Sequence, residues 1–172
     1  MLANDVQGKP EREAFEDAIR ILTASLKQSV APSRIYLMPG YSGTPLPKKL
    51  GIKPGFHVQL LNVPAEVGAE LSDALAKCSI DHRKSLLDFV MLFTRSRLEL
   101  TREFSRMTKQ LAPAGMFWVS WPKKSSGVAT DVDENVVREI GLAVGLVDVK
   151  VCAVTDVWSG LKFVRRLQDR KK

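Results

Sequence analysis

The sequence predicts an α/β fold: a mainly parallel central sheet, helices on both faces and a C-terminal antiparallel hairpin. Three observations carry this expectation. Short apolar runs alternate with segments whose apolar residues recur at helical spacing. The run Asp88-Phe-Val-Met-Leu-Phe93 is apolar nearly throughout, as a strand buried on both faces requires. The last two strand-like runs, Val147 to Val154 and Leu161 to Val164, flank a short Thr155-Asp-Val-Trp-Ser-Gly160 turn, so they should pair antiparallel. Alternating strands and helices imply βαβ units, and right-handed crossovers place helices on both sides of the sheet.

The elements follow in order. Pro10 opens a first helix in which Phe15, Ala18, Ile19, Leu22 and Leu26 make one apolar stripe. That stripe needs a partner surface, either the main domain or a second copy of the chain. A short arm, Arg34 to Leu37, lies between prolines. Thr44 is placed to cap a short helix that has Pro45 at its first position and ends at Leu50, before Gly51. His57 to Asn62 reads as a central strand. Pro64 starts a helix with Val67, Leu71 and Leu75 on its inner side. Cys78 to His82 is a weak strand and Asp88 to Phe93 a strong one. A helix from about Leu98 to Leu111 carries Leu98, Phe104, Met107 and Leu111 inward, and Pro113-Ala-Gly115 turns into the strand Met116 to Trp121. Thr130 or Asp131 then caps a helix with Glu134 in capping-box position and an inner stripe of Val136, Val137, Ile140 and Val144.

The stretch between that last strand and its helix holds the densest functional signal. Pro122 ends the strand, and Lys123-Lys124-Ser125-Ser126-Gly127 follows, leading to a helix N-terminus. In an open parallel sheet, ligands bind beyond the C-terminal ends of the strands. Four loops share that edge: Asn62 to Gly68, Thr94 to Arg97, Trp121 to Thr130, and Thr155 to Gly160. They contribute the cations Arg95, Arg97, Lys123 and Lys124, the hydroxyls Ser125, Ser126 and Thr155, and the indoles Trp121 and Trp158. Cations and hydroxyls beside a helix N-terminus suit a phosphate or carboxylate, and an indole suits a flat base. Asp131 and Asp133 oppose this reading, since they are placed to neutralise the lysines.

Composition bounds the rest. The chain has 172 residues, 45% hydrophobic and 26% charged, with a net charge of +7. Such figures are ordinary for one globular domain. No apolar run approaches the roughly 18 residues of a membrane span, and the polar N-terminus does not read as a signal peptide. Cys78 and Cys152 lie in apolar segments and read as buried free thiols, consistent with a cytoplasmic location. Neither His57 nor His82 has metal-ligand spacing. Ser125 has no Gly-x-Ser-x-Gly context, and no Gly-x4-Gly precedes Lys123-Lys124-Ser125, so no reaction is assigned. The C-terminal Arg165, Arg166, Arg170, Lys171 and Lys172 concentrate positive charge where a polyanion would be met.

The alternation closed by a hairpin resembles the Rossmann-like fold of S-adenosylmethionine-dependent methyltransferases. Leu50-Gly-Ile-Lys-Pro-Gly55 resembles the entry to their first strand, and Pro113-Ala-Gly-Met-Phe-Trp-Val-Ser120 resembles the strand after their fourth helix. Those enzymes follow the first strand with an acidic residue and a glycine-rich turn. Here the turn is Asn62-Val-Pro-Ala-Glu-Val-Gly68, with one glycine and a proline, so their usual cofactor cradle is not expected. Asp81 sits near where an acidic ribose ligand would lie. A closer resemblance rests on Tyr41-Ser-Gly-Thr-Pro-Leu46, Trp121-Pro-Lys-Lys-Ser-Ser-Gly-Val-Ala-Thr-Asp131 and Trp158-Ser-Gly-Leu-Lys-Phe-Val164. These resemble an uncharacterised bacterial family, domain-of-unknown-function family 3052. That resemblance implies a fold and no chemistry.

The expected organisation is an N-terminal helix and arm over residues 1–37, a Rossmann-like domain over 38–166 and a basic tail over 167–172. The leading functional expectation is a small anionic or nucleotide-like ligand at the sheet's C-terminal edge, lined by Arg95, Arg97, Trp121, Lys123, Lys124, Ser125, Ser126 and Trp158. The alternatives are a degenerate methyltransferase with altered cofactor binding, and a nucleic-acid or protein interaction module using the basic surface. A homo-oligomer through the N-terminal helix is a further expectation, and a membrane partner is not.

Overall fold

Five strands form one mixed sheet in the computed structural model, which describes residues 43–80 and 86–170. All of these lie in the second of two compact units, Ser42–Lys172. The expected N-terminal stripe of Phe15, Ile19, Leu22 and Leu26, the arm before Met38, Asp81 and His82 fall outside the described residues.

The elements are α1 (Leu46–Leu50), β1 (Val58–Leu61), α2 (Ala65–Leu75), β2 (Leu87–Phe93), α3 (Arg97–Gln110), β3 (Leu111–Pro122), a 3-10 turn at Lys124–Ser126, α4 (Glu134–Ala143), β4 (Leu146–Ala153), β5 (Trp158–Arg165) and a terminal 3-10 turn at Leu167–Arg170. The sheet order is β1-β2-β3-β5-β4. β1 pairs parallel with β2, and β2 with β3. β5 runs antiparallel between β3 and β4. Four strands thus share one direction and the last opposes them, so the predicted α/β class, the parallel middle strands and the antiparallel hairpin are all present.

Alternation along the strands builds two cores. Phe89, Met91 and Phe93 of β2, with Trp118 and Trp158, pack against Leu46 and Leu50 of α1 and Val67 and Leu71 of α2. Val90 and Leu92, with Phe117, Val119, Trp121 and Phe163, pack against Leu100, Phe104 and Met107 of α3 and Val137 and Ile140 of α4. Consecutive strand residues therefore serve opposite faces, as the period of two demands. Each fully buried large side chain contributes roughly 1.5–3 kcal/mol of transfer free energy.

Several local expectations are corrected. Cys78 to His82 does not give a strand within the described residues; a single parallel bridge joins Ser79 to His57. Pro113 to Gly115 lies inside β3, which starts at Leu111. The β2–β3 register slips between Leu87 and Phe89, so Leu87 faces Leu111 and Phe89 faces Met116. The proline sits in that irregularity, where no ladder donor is needed. Leu98 is 82% exposed, because the helix starts at Arg97 and its inner stripe is Leu100, Phe104 and Met107. Pro45, not Thr44, is the N-cap of α1, and no side chain caps it. Asp133 caps α4 by accepting from the Val136 N–H, so Thr130 and Asp131 have other work. Trp158 opens β5 instead of lying in the preceding turn. Cys78 and Cys152 are free but half-buried, not buried.

Among the described residues no helix is long and apolar enough to cross a membrane.

Candidate functional site

The C-terminal ends of β1, β2, β3 and β4 and the start of β5 lie on one edge of the sheet, because β5 alone runs in reverse. Along this edge the strand order reverses between β1 and β2. From β1 the chain crosses through α2 to the Ser79 bridge on one side, then returns to place β2 on the other. A reversal of this kind leaves the loops after the two strands turning apart, and a crevice opens between them.

That crevice has a volume of about 450 Å³ and is lined by Asn62, Pro64, Phe93, Thr94, Arg95, Ser96, Glu99 and Trp158. Its wall is held by polar contacts. Asn62 has φ +54°, in the left-handed region where asparagine is tolerated better than most side chains. Its amide donates to the Phe93 carbonyl at 3.2 Å and to Glu99 Oε1 at 2.9 Å. Thr94 donates its hydroxyl to Glu99 Oε2 at 2.6 Å. Ser96 caps α3 by accepting from the Glu99 N–H at 3.4 Å. One carboxylate thereby ties together the ends of β1 and β2 and the first turn of α3.

Arg95 leans over the Trp158 ring, with its guanidinium carbon 5.8 Å from the centroid. Trp158 in turn meets Phe93 edge-on at 5.1 Å between centroids. The indole is only 6% exposed, so it is a platform for Arg95 more than a free stacking face. The Arg95 side chain is exposed and forms no salt bridge among the described residues. Its carbonyl is fixed by the Thr130 hydroxyl at 2.8 Å and the Asp131 N–H at 3.2 Å.

A second cleft, about 670 Å³, lies on the other side of β3. Trp121, Lys123, Lys124, Asp131, Asp133 and Glu134 are among its lining residues. Its charges oppose one another: two lysines face three carboxylates. Lys123 Nζ donates to the Thr155 carbonyl at 2.7 Å, and its backbone N–H to the Val157 carbonyl at 2.8 Å. That lysine closes the β4–β5 hairpin against the β3 loop. Asp131 accepts from the Arg97 N–H at 2.7 Å, and Asp133 is taken up by its cap.

The eight residues singled out in the sequence are therefore divided. Arg95 and Trp158 line the crevice beyond β1 and β2. Trp121, Lys123 and Lys124 line the cleft beside α4. Trp121 and Trp158 belong to cores on opposite faces of the sheet. Arg97 pairs with Glu139 at 3.2 Å. Ser126 donates its hydroxyl to the Lys123 carbonyl at 2.7 Å and shapes the 3-10 turn, while Ser125 is exposed. Sequence reasoning did not single out Asn62, Thr94 and Glu99. The signal for one of them was present, since Ser96-x-x-Glu99 is a capping-box spacing.

Among the described residues no cluster of His, Cys, Asp or Glu is arranged to hold a metal ion. Both thiols are shifted away from reactivity. Burial pushes Cys78 up, against a lowering backbone hydrogen bond from Phe56. Burial likewise pushes Cys152 up, against Lys49 and Lys150.

A family model described as "Protein of unknown function (DUF3052)" matches residues 47–167. No curated protein matches the sequence. Among solved structures, magnesium protoporphyrin IX methyltransferase from Synechocystis, with bound SAH, is similar at 12% identity and a TM-score of 0.47, over 95% of this chain and 90% of that one. A methyltransferase from Pyrococcus furiosus is similar at 12% identity and a TM-score of 0.45, over 87% and 98%. Likeness at this level carries no ligand and no reaction.

Proposed function

We propose that this chain, which belongs to the DUF3052 family, binds a small anionic, nucleotide-like ligand in the crevice beyond β1 and β2. One observation carries the reading. At the point where the strand order reverses, Arg95 stands over Trp158 without a carboxylate partner among the described residues. It lies beside the N-terminus of α3, a helix of 14 residues whose dipole favours negative charge there. Glu99 forms no ion pair with Arg95 among the described residues; Asn62 and Thr94 donate to its two oxygens and hold its carboxylate at the β1 and β2 ends. Those oxygens keep lone pairs for a hydroxyl-bearing part of the ligand. This reading moves the centre of the site from Lys123 and Lys124 to Arg95, for Lys123 is engaged and the cleft beside α4 is rich in carboxylates.

Calorimetric titration of the full chain with nucleoside mono- and diphosphates tests this. A charged hydrogen bond contributes about 1.5–3 kcal/mol. Arg95→Ala should therefore weaken binding by roughly 10- to 150-fold. Lys123→Ala with Lys124→Ala should leave it within a few-fold. Undiminished affinity in a folded Arg95→Ala variant removes the crevice from the site. S-adenosyl compounds in the same titration test the altered-cofactor methyltransferase reading, for which a tighter Kd than any nucleotide is the required result.

A further inference from the structure

Two sets of basic residues in the described domain differ in their pairing. Arg97, Arg102, Arg106 and Arg138, on α3 and α4, are each paired with a carboxylate. Lys53, Lys150, Lys162 and Arg170 form no salt bridge among the described residues. These four converge on one place. Lys150 and Lys162 stand directly opposite in the β4–β5 ladder, so both project from the same face. It is the face on which Trp158 and Cys152 meet the α1 core. Lys150 Nζ donates to the Lys49 carbonyl at 2.9 Å, which sets it against the end of α1. Lys53 comes from the loop that follows α1, and Arg170 from the terminal 3-10 turn, where its Nε donates to the Arg165 carbonyl at 3.0 Å. Lys162 is half-buried among them. Burial first, and then the charges of Lys150, Lys53 and Arg170, lower its proton affinity.

Like charges directly opposite on a ladder destabilise a sheet. The α3 and α4 surface avoids that cost by pairing its arginines, whereas this face leaves four cations with no carboxylate partner among the described residues. The nearest carboxylate in sequence, Asp169, is exposed on the terminal turn and forms no salt bridge among the described residues. The cations are spread over two strands, a loop and a turn, so several anions must be presented together. Three of the four are lysines, which meet phosphate as point charges. Among the described residues the exposed large hydrophobics include no aromatic ring, so the described face offers neither a base-stacking platform nor the aromatic anchor typical of a protein interface.

We infer that this face, centred on Lys150 and Lys162, binds the phosphodiester backbone of a nucleic acid without sequence preference. It is separate from the crevice at Arg95, which lies at the sheet's C-terminal edge and takes a small ligand. The net charge of +7 favours the encounter.

The test is fluorescence anisotropy of the full chain with a labelled mixed-sequence DNA duplex at 50 to 200 mM salt. Four phosphate contacts predict a loss of affinity on the order of 150-fold across that range. K53Q/K150Q/K162Q should cut the loss to a few-fold and weaken binding at 50 mM salt. K53Q alone, at an exposed loop position, should lower the salt slope by about one contact with no change in thermal melting. Duplexes of different sequence should bind alike. The inference is overturned by no binding at 50 mM salt, or by a salt slope unchanged in both folded variants. It is equally overturned if an acidic peptide or an anionic phosphatidylserine vesicle binds the face more tightly than the duplex.

Discussion

Trp118 donates its indole N–H to the Leu50 carbonyl at 3.0 Å, joining the middle of β3 to the last residue of α1. Both residues are fully buried. The bond replaces water for a carbonyl at a helix end, where no intrahelical donor remains. Trp118→Phe keeps most of the apolar surface and removes the donor. It should destabilise the domain by about 1–3 kcal/mol, the cost of a buried unsatisfied carbonyl. Urea denaturation reads this directly; an unchanged midpoint would show the bond to be dispensable.

Gly141 is buried on α4 against the ring of Phe163, and a Cβ there would lie 2.6 Å from the Phe163 Cζ. No real contact is that short, so the ring or the helix must shift. Gly141→Ala should cost about 1–3 kcal/mol through overpacking, despite alanine's better helix propensity. Pairing it with Phe163→Leu should recover part of the loss in thermal melts. Simple additivity of the two losses would contradict the contact.

Asn62 makes two demands on its position: a left-handed backbone and an amide for Phe93 and Glu99. Asn62→Gly keeps the first and loses the second, while Asn62→Ala loses both. Alanine should be the worse substitution by about 1 kcal/mol, the excess being backbone strain. Both variants should weaken nucleotide binding if the crevice depends on a fixed Glu99. Equal stabilities for the two would show that φ at this position is not costly.

Lys162 gives a pH dependence with a definite sign. Burial and the neighbouring cations depress its folded pKa below the usual lysine value of 10.5. The unfolded chain therefore holds this proton to higher pH than the folded one. The charge costs stability at all pH values below the folded pKa, and the cost is relieved as pH rises from that value toward 10.5. Lys162→Gln should raise the denaturation midpoint at pH 7, by an amount kept small by solvent screening of this half-buried group. The advantage should shrink toward pH 10.5. Chemical denaturation of wild type and variant across pH 7 to 10 checks it, and a destabilised variant at pH 7 would reverse the account.

The strands were legible because burial on two faces leaves a continuous apolar run, and Asp88 to Phe93 is such a run. The start of β5 was hidden. Ser159-Gly160 has the composition of a turn, but Gly160 is needed in the strand because a Cβ there would meet Val154 at 2.9 Å. Composition cannot separate a glycine chosen for φ from one chosen for room. The candidate site was legible as an edge and not as a pocket. Trp121 packs into one core and Trp158 into the other, and a one-residue shift in strand parity decides which cleft a side chain enters. Nonlocal pairs such as Arg97 with Glu139, or Asp131 with the Arg97 N–H, leave no trace in local spacing. They nevertheless determine which charges remain for a ligand.

The antiparallel seat of β5 between β3 and β4 governs how this chain can be synthesised. Among the described residues β4 pairs only with β5, and β5 is made after it. A nascent chain that has emerged through Ala153 therefore carries four strands' worth of sequence but can close only three into a sheet. During that interval β4 is an unsatisfied strand, with Val149 and Val151 on its open side. A premature stop before Trp158 removes one strand from the sequence and two from the sheet. It also strips Trp158 from beneath Arg95 and uncovers Phe117 and Val119 of β3. The last eight-residue strand, Trp158–Arg165, is thus the step that commits the whole C-terminal half to its final form.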